Sequence, residues 1–166
     1  MIALAASVFT VLLGSGVAVW RERVVRRRLD RDRKLEVYGE LHEAAADIWR
    51  HPVWPADDPR ALNNLYAGFR TFVNRAAFVV APQVSEELIQ LSGAVQRHVL
   101  LIAEIRVSSS PGRQNAVDVR FRGELDESRE SLVSRTDQFV VAARRELEVS
   151  GRYVPLRADE DTVGTL

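Results

Sequence analysis

The first twenty residues constrain the chain most, because a wholly apolar stretch is followed at once by an arginine-rich one. Residues 2–20 read IALAASVFTVLLGSGVAVW and contain no charged side chain. At about 1.5 Å per residue, a helix of this length spans roughly 28 Å, which is close to the hydrocarbon thickness of a bilayer, about 30 Å. We therefore predict a transmembrane helix over residues 1–20.

A cleaved signal peptide is the main alternative for this stretch. Signal peptides combine a basic n-region, a shorter apolar core and a small-x-small cleavage site. Residues 17–20 read VAVW and lead directly into arginines, and no basic residue precedes the apolar run. We expect the segment to be retained as an anchor.

The charges that follow the apolar stretch predict its orientation. Residues 21–34 read RERVVRRRLDRDRK, and eight basic minus three acidic side chains give a net charge of +5. Because basic flanks of membrane helices stay in the cytoplasm, we expect a single-pass protein of the cell membrane, with the N-terminus outside and the C-terminus cytoplasmic.

The same basic run predicts contact with anionic lipid headgroups, which attract arginines next to a membrane helix. We assign this role to Arg21, Arg23, Arg26, Arg27, Arg28 and Arg31. Nucleic acid is not an expected partner, because acidic side chains interrupt the run.

Small side chains recur every four residues along the apolar stretch. This spacing lets two membrane helices approach closely, so it favours helix packing and leaves a homo-oligomer open. Small residues are also common in membrane helices that do not pair. The residues concerned are Ala6, Thr10, Gly14 and Ala18.

Composition limits the chemistry of the chain. It has 166 residues, no cysteine, and one lysine, Lys34, among 23 basic residues. The absence of cysteine excludes disulfides, zinc–thiolate sites and cysteine nucleophiles. A strong preference for arginine over lysine is typical of GC-rich coding sequences, and we expect a bacterial protein.

Four amphipathic segments predict an all-α fold. The first helix should continue from the anchor through a basic juxtamembrane helix, residues 21–34, to the proline-rich turn at 51–59. Further helices are predicted over about 59–81, 85–107 and 116–149, where apolar side chains recur at three- and four-residue spacing. Short loops indicate an antiparallel up-down helical bundle over 35–150, with a flexible tail over 151–166.

The sequence carries no signature of catalysis. The histidines His42, His51 and His98 lack the spacing of zinc-protease and di-iron motifs, and no phosphate-binding loop or nucleophile elbow is present. We therefore predict no enzyme, no cofactor and no metal. An acidic row on the first helix is interpreted as a solvated face rather than a metal site: Glu36, Glu40, Glu43 and Asp47.

Two tryptophans flank the outer turn and suggest a binding surface. Exposed tryptophan is a favoured hot-spot residue, so we assign Trp49 and Trp54 to partner binding, while the alternative is that they cap the bundle core. The sequence thus favours a non-enzymatic, membrane-anchored interaction protein, either a scaffold or a regulatory subunit. A second hypothesis is an oligomeric membrane sensor or membrane-active protein that signals through its continuous first helix.

Overall fold

The computed structural model describes the backbone of residues 2–55, 58, 60–151, 153 and 155, and the side chains of these residues except 2–21, 23 and 24. This part of the chain is all-α, as predicted, with four α-helices, one 3₁₀ turn and no strand among its residues. The helices are α1 (Ile2–Arg50), α2 (Ala61–Ala76), α3 (Pro82–Ser108) and α4 (Val119–Glu146), and the 3₁₀ turn is Arg113–Asn115.

Helix α1 runs without interruption over 49 residues. No proline occurs in it, so no backbone hydrogen bond is removed along its length. At about 1.5 Å per residue it is roughly 74 Å long. Its described side chains at 22 and 25–33 are exposed, and its described contacts with the bundle come from residues 34–50. We call residues 21–33 the neck.

The bundle contains two antiparallel hairpins, α1–α2 and α3–α4. Helix α1 also packs against α4, α2 packs against α3, and α1 approaches α3 more lightly. Tyr38 on α1 meets the Phe139 ring on α4 edge-on, with ring centroids 5.7 Å apart. These pairings close the four helices around one apolar core.

The core is a single contiguous cluster to which every helix contributes. Full burial of a leucine, isoleucine or phenylalanine stabilises the fold by about 1.5–3 kcal/mol, so each helix depends on the others to keep its apolar face from water. The largest fully buried apolar side chains are Leu41, Ile48, Leu62, Phe69, Leu91, Ile102, Ile105, Leu132 and Phe139.

The predicted apolar stripes correspond to this core except at the start of the bundle. Val25, Leu29 and Leu35, which the periodicity groups with the stripe of α1, are exposed. Val25 and Leu29 lie on the neck, which extends past the end of the other helices, so they have nothing to pack against. Leu35 lies within the bundle segment of α1 but on the side of the helix that faces away from the core. On α3 the apolar side chains that recur at helical spacing are all buried: Val84, Leu88, Leu91, Val95, Leu101, Ile102 and Ile105.

The beginnings of α3 and α4 differ from the predicted ones for local reasons. Helix α3 begins at Pro82 rather than at Ser85, with the proline at its first position. A proline is favoured there because the first N–H groups of a helix have no partner within it. Helix α4 begins at Val119, where Asp118 acts as its N-cap and accepts a hydrogen bond from the Arg120 N–H at 3.0 Å.

Helix α4 ends at Glu146, three residues before the predicted end at about 149. Glu148 adopts a left-handed conformation, with φ at 50°. The Val149 N–H donates to the Arg144 carbonyl at 3.0 Å, and the Glu148 N–H to the Arg145 carbonyl at 3.2 Å. These two bonds form a Schellman motif with a glutamate where glycine is usual.

The residues described after α4 lie back along that helix. The Tyr153 hydroxyl donates to the Asp137 carboxylate at 2.6 Å, and Arg144 donates to the Gly151 carbonyl at 2.8 Å. Most of the predicted flexible tail lies outside the described residues.

Candidate functional site

A polar cluster fastens α1 to the end of α4. Lys34 Nζ donates to Glu146 Oε1 at 2.7 Å, and the Tyr38 hydroxyl donates to Glu146 Oε2 at 2.5 Å. The Lys34 and Glu146 side chains are only 19% and 15% exposed. Hydrogen bonds between charged groups strengthen when water is excluded, so this cluster holds the neck in a fixed direction relative to the bundle.

The cluster changes the pKa of each of its three members. The hydrogen bond to Glu146 raises the pKa of Lys34. Burial, together with the bond to Glu146, raises the pKa of Tyr38 well above its usual range. Burial pushes the Glu146 pKa upward, but the bonds that Lys34 and Tyr38 donate outweigh it, and the Glu146 pKa is lowered. At neutral pH the cluster therefore holds an ammonium, a carboxylate and a neutral phenol.

A groove of about 730 Å³ runs between α1 and α2. Its acidic side chains come from α1 and from the turn before α2: Glu40, Glu43, Asp47 and Asp58. Its apolar surface comes from both helices: Ala44, Ala61, Leu65, Gly68, Phe69 and Phe72. The groove thus combines an apolar floor with a carboxylate rim, and we call it the α1–α2 groove.

Arg75 lies beside the α1–α2 groove and contacts two of its lining residues, Phe72 and Glu40. Its guanidinium carbon lies 5.8 Å from the centre of the Phe72 ring, and its Nη1 lies 2.7 Å from Glu40 Oε2. Glu40 Oε2 is buried and has no hydrogen-bond partner among the described residues, so the contact is an ion pair. An arginine that stacks on a ring and faces a carboxylate is a common mode of recognition, and here the chain supplies it to itself.

The described arginines of the neck surround α1 rather than sharing one face. Arg26, Arg27, Arg28 and Arg31 are all exposed, and at 100° per residue the first three alone cover more than half of the circumference. Arg26 pairs with Glu22 at 2.5 Å. The side chains of Arg21 and Arg23 lie outside the described part of the chain.

The predicted anchor, residues 1–20, also falls where side chains are not described, together with its small residues Ala6, Thr10, Gly14 and Ala18. Within the described part, none of the helices offers an apolar stretch that is long enough for a membrane crossing.

The two tryptophans sit at the outer end of the core. Trp49 is 8% exposed and belongs to the core, and Trp54 is half-buried against it. Their partner-binding role remains a prediction, which for Trp49 would require movement of the outer turn.

Arg106 on α3 holds that outer turn in place. Its Nε donates to the Val53 carbonyl at 2.6 Å and its Nη2 to the Pro52 carbonyl at 3.3 Å, while Nη2 also lies 3.3 Å from His51 Nε2. Burial and the nearby Arg106 charge lower the pKa of His51. The loop between α1 and α2 is therefore tied to the end of α3.

His98 is fully buried between α3 and α4. Its Nδ1 lies 3.0 Å from Ser128 Oγ, and its Nε2 has no hydrogen-bond partner among the described residues. Burial, together with the Arg129 charge, lowers the pKa of His98 to about 4. The ring is therefore neutral at physiological pH and serves the core, while the partnership with Ser128 was not evident from the sequence.

The four side chains of the acidic row on α1 do not come together around a common point that could bind a metal ion. Glu40 pairs with Arg75, whereas Glu36, Glu43 and Asp47 are exposed. In the part of the chain that the structure describes, no group of three or more histidine, aspartate or glutamate side chains is placed to hold a metal ion.

Comparison of the chain with protein-family profiles, with curated protein sequences and with solved structures finds no match.

Because His98 is buried in its neutral form, the free energy of unfolding should fall in mild acid. Between pH 6.5 and pH 4 the unfolded chain binds a proton at His98 that the folded chain does not, so stability is lost as the pH falls through this window. We expect His98→Gln to remove about 2–4 kcal/mol of that loss. The measurement is the free energy of urea unfolding of the full chain in detergent at several pH values. His42→Gln is the control, and an unchanged pH slope in His98→Gln would contradict the argument.

Glu146→Gln should lower the free energy of unfolding at pH 7 by about 1–3 kcal/mol, because it removes the charge that Lys34 and Tyr38 share. Since the Glu146 pKa is lowered on folding, its contribution is present above the ordinary value of 4.5 and is lost as the pH falls through the folded value. The difference between the variant and the native chain should thus shrink in acid. Glu127→Gln, an exposed change on α4, should have little effect. Equal stability of the Glu146 and Glu127 variants at pH 7 would show that the cluster stabilises nothing.

Proposed function

We propose that this chain is a single-pass, membrane-anchored helical interaction protein, a scaffold or a regulatory subunit, at the cytoplasmic face of a bacterial membrane. The observation that carries the proposal is the continuity of α1 from Ile2 to Arg50. One helix contains the uncharged stretch, the arginine neck and a quarter of the bundle. The position of the bundle would therefore follow directly from that of the anchor.

The sequence supports both the anchor and its direction. Residues 2–20 carry no charge, and the net charge of +5 over residues 21–34 lies on the C-terminal side. Positive flanks stay in the cytoplasm, and an arginine collar around a helix suits a layer of anionic headgroups that contacts it from all sides.

The length of the neck sets the distance of the bundle from the membrane. The neck, residues 21–33, is thirteen residues long, which corresponds to about 20 Å of helix. An upright α1 would hold the base of the bundle that far from Trp20. Phe78, 88% exposed beside the turn into α3, shares this end with Arg33 and Val37, so a tilted α1 would bring an aromatic ring toward the headgroups.

The charge distribution supports binding to another protein beyond the membrane. The whole chain is neutral and residues 21–34 carry +5, so the remaining residues, 35–166, carry −5. Such a bundle would be attracted to basic partners and repelled by the lipid surface that holds the neck.

The anchor and its orientation can be tested together. We expect the full chain with a C-terminal epitope tag to sediment with membranes after an alkaline wash, and the tag to be digested only in inverted vesicles. Leu12→Arg should release the protein, because arginine at a membrane helix centre costs about 2.5–3.5 kcal/mol. Val107→Arg, at an 89% exposed position of α3, is the matched control. Recovery of the native chain in the supernatant, or digestion of the tag from outside intact cells, would overturn the anchor or its direction.

A second proposed function is a sensor in which paired anchors transmit a change through α1. It is favoured by the unbroken helix and by the Lys34–Glu146 cluster, which would pass movement of the neck to α4. Gly14→Ile should disrupt close pairing of anchors and lower the dimeric fraction in membranes, as measured by crosslinking. An unchanged fraction would remove the basis of this function without affecting the recruitment proposal.

A further inference from the structure

We propose that the α1–α2 groove binds a basic amphipathic helix of a partner protein. This inference deepens the interaction role proposed above and rests on it. Short amphipathic helices commonly dock apolar side chains into a groove while their polar side chains meet its rim. An apolar floor lies beside three exposed carboxylates, those of Glu43, Asp47 and Asp58, and this juxtaposition points to a positively charged occupant.

The groove has the dimensions of a short helical contact. On α1 it extends from Glu40 to Asp47 and on α2 from Ala61 to Phe72, which corresponds to about 10 Å and 16 Å along the two axes. Two to three turns of a helix would fit against it. An occupant of this length would present apolar residues at i, i+3 or i+4, and i+7.

The apolar floor of the groove contains one fully buried side chain and two that are still partly exposed. Phe69 is fully buried beneath it, whereas Leu65 and Phe72 are half-buried and keep part of their surface toward the groove. A Cβ placed on Gly68 would meet no atom within 4 Å. The glycine therefore leaves a notch in the floor, where an apolar side chain of the occupant could be accommodated.

The rim carries mainly negative charge. Glu43, Asp47 and Asp58 are exposed, and neither Glu43 nor Asp47 forms an ion pair within the described part of the chain. The described residues that line the groove include no cation, and Arg75, which lies beside it, is paired with Glu40. Arg75 stacked on Phe72 shows, within this chain, the contact that an arginine of the occupant would repeat along the rim.

The neck of a second copy of this chain is also a basic helical segment. Its distance from the membrane argues against its being the occupant of the groove. The groove begins six residues beyond Lys34, and so about 30 Å from Trp20 along an upright α1. The neck of a neighbour in the same membrane would end about 20 Å from its own Trp20. The observations therefore favour a segment of another protein over self-association.

The experiment uses the full chain in phosphatidylcholine nanodiscs and a synthetic 14-residue helical peptide with leucines at i, i+3, i+4 and i+7 and arginines elsewhere. We expect saturable 1:1 binding by calorimetry, after subtraction of empty nanodiscs, and at least tenfold weaker binding at 300 mM than at 50 mM salt. A peptide with glutamate in place of every arginine should not bind.

Two variants locate the binding. Gly68→Leu should weaken it at least tenfold by filling the notch, and Glu43→Gln combined with Asp47→Asn should weaken it similarly and flatten the salt dependence. Gly123→Leu is the matched control, because Gly123 is also a helix glycine at which an added Cβ would meet no atom within 4 Å, and it lies exposed on α4, outside the lining of the groove. It should leave the affinity unchanged.

Several results would overturn the proposal. Equal affinity of the native chain and folded Gly68→Leu would place the peptide elsewhere, and equal binding of the glutamate peptide would remove the role of charge. A concentration-dependent dimer that Gly68→Leu abolishes would replace the partner helix by a second copy. If the peptide fails to bind while the chain stays membrane-anchored and is crosslinked to partners in cells, the groove is not the binding site. The proposed function would then stand.

Discussion

The bundle closes because the last third of α1 buries one face between α2 and α4. Leu41, Ala45 and Ile48 on that face are fully buried, and the side chains that cover them come from helices far along the chain. Removing a residue such as Leu41 would leave a cavity that a close-packed interior fills only in part. The same helix also carries the neck, so the packing of the bundle and its attachment are properties of one element.

This arrangement separates the charges of the protein along α1. The arginines lie where the helix leaves the bundle and is surrounded by solvent, whereas the carboxylates of the α1–α2 groove lie where the helix is packed on one side. The surface proposed for anionic lipid and the surface proposed for a cationic helix would then lie at different distances from the membrane along one helix, α1. The Lys34–Glu146 pair lies at the boundary between them.

Much of the fold is predictable because it depends on local patterns. The spacing of apolar residues predicts where a helix forms, and the prolines predict where it begins or ends. For this reason the predicted α2 and α3 lie near their observed positions. The periodicity assigns Val25 and Leu29 to the wrong environment because it cannot show where neighbouring helices end. The predicted end of α4 is wrong because Glu148, rather than a glycine, takes the left-handed position.

The candidate sites are less predictable, since they depend on which helices are neighbours. The acidic row of α1 is evident in the sequence, but not that α2 places Phe72 and Gly68 opposite it. Likewise, Lys34 and Glu146 lie 112 residues apart, and His98 and Ser128 lie 30 apart. No pattern within a single helix indicates such pairs. For His98 and Ser128 a weak signal exists, because each lies on the apolar stripe of its own helix.

The Lys34–Glu146 pair has a chemical consequence because Lys34 is the only lysine of the chain. Its ammonium is the single side-chain amine available to acylating reagents or to an acetyltransferase. In the closed cluster that nitrogen is protonated and donates to a carboxylate, so it is a poor nucleophile. Acylation would cap the nitrogen as a neutral amide and leave Glu146 without its cation, so the reaction rate at this one amine reports how often the neck detaches from the end of α4.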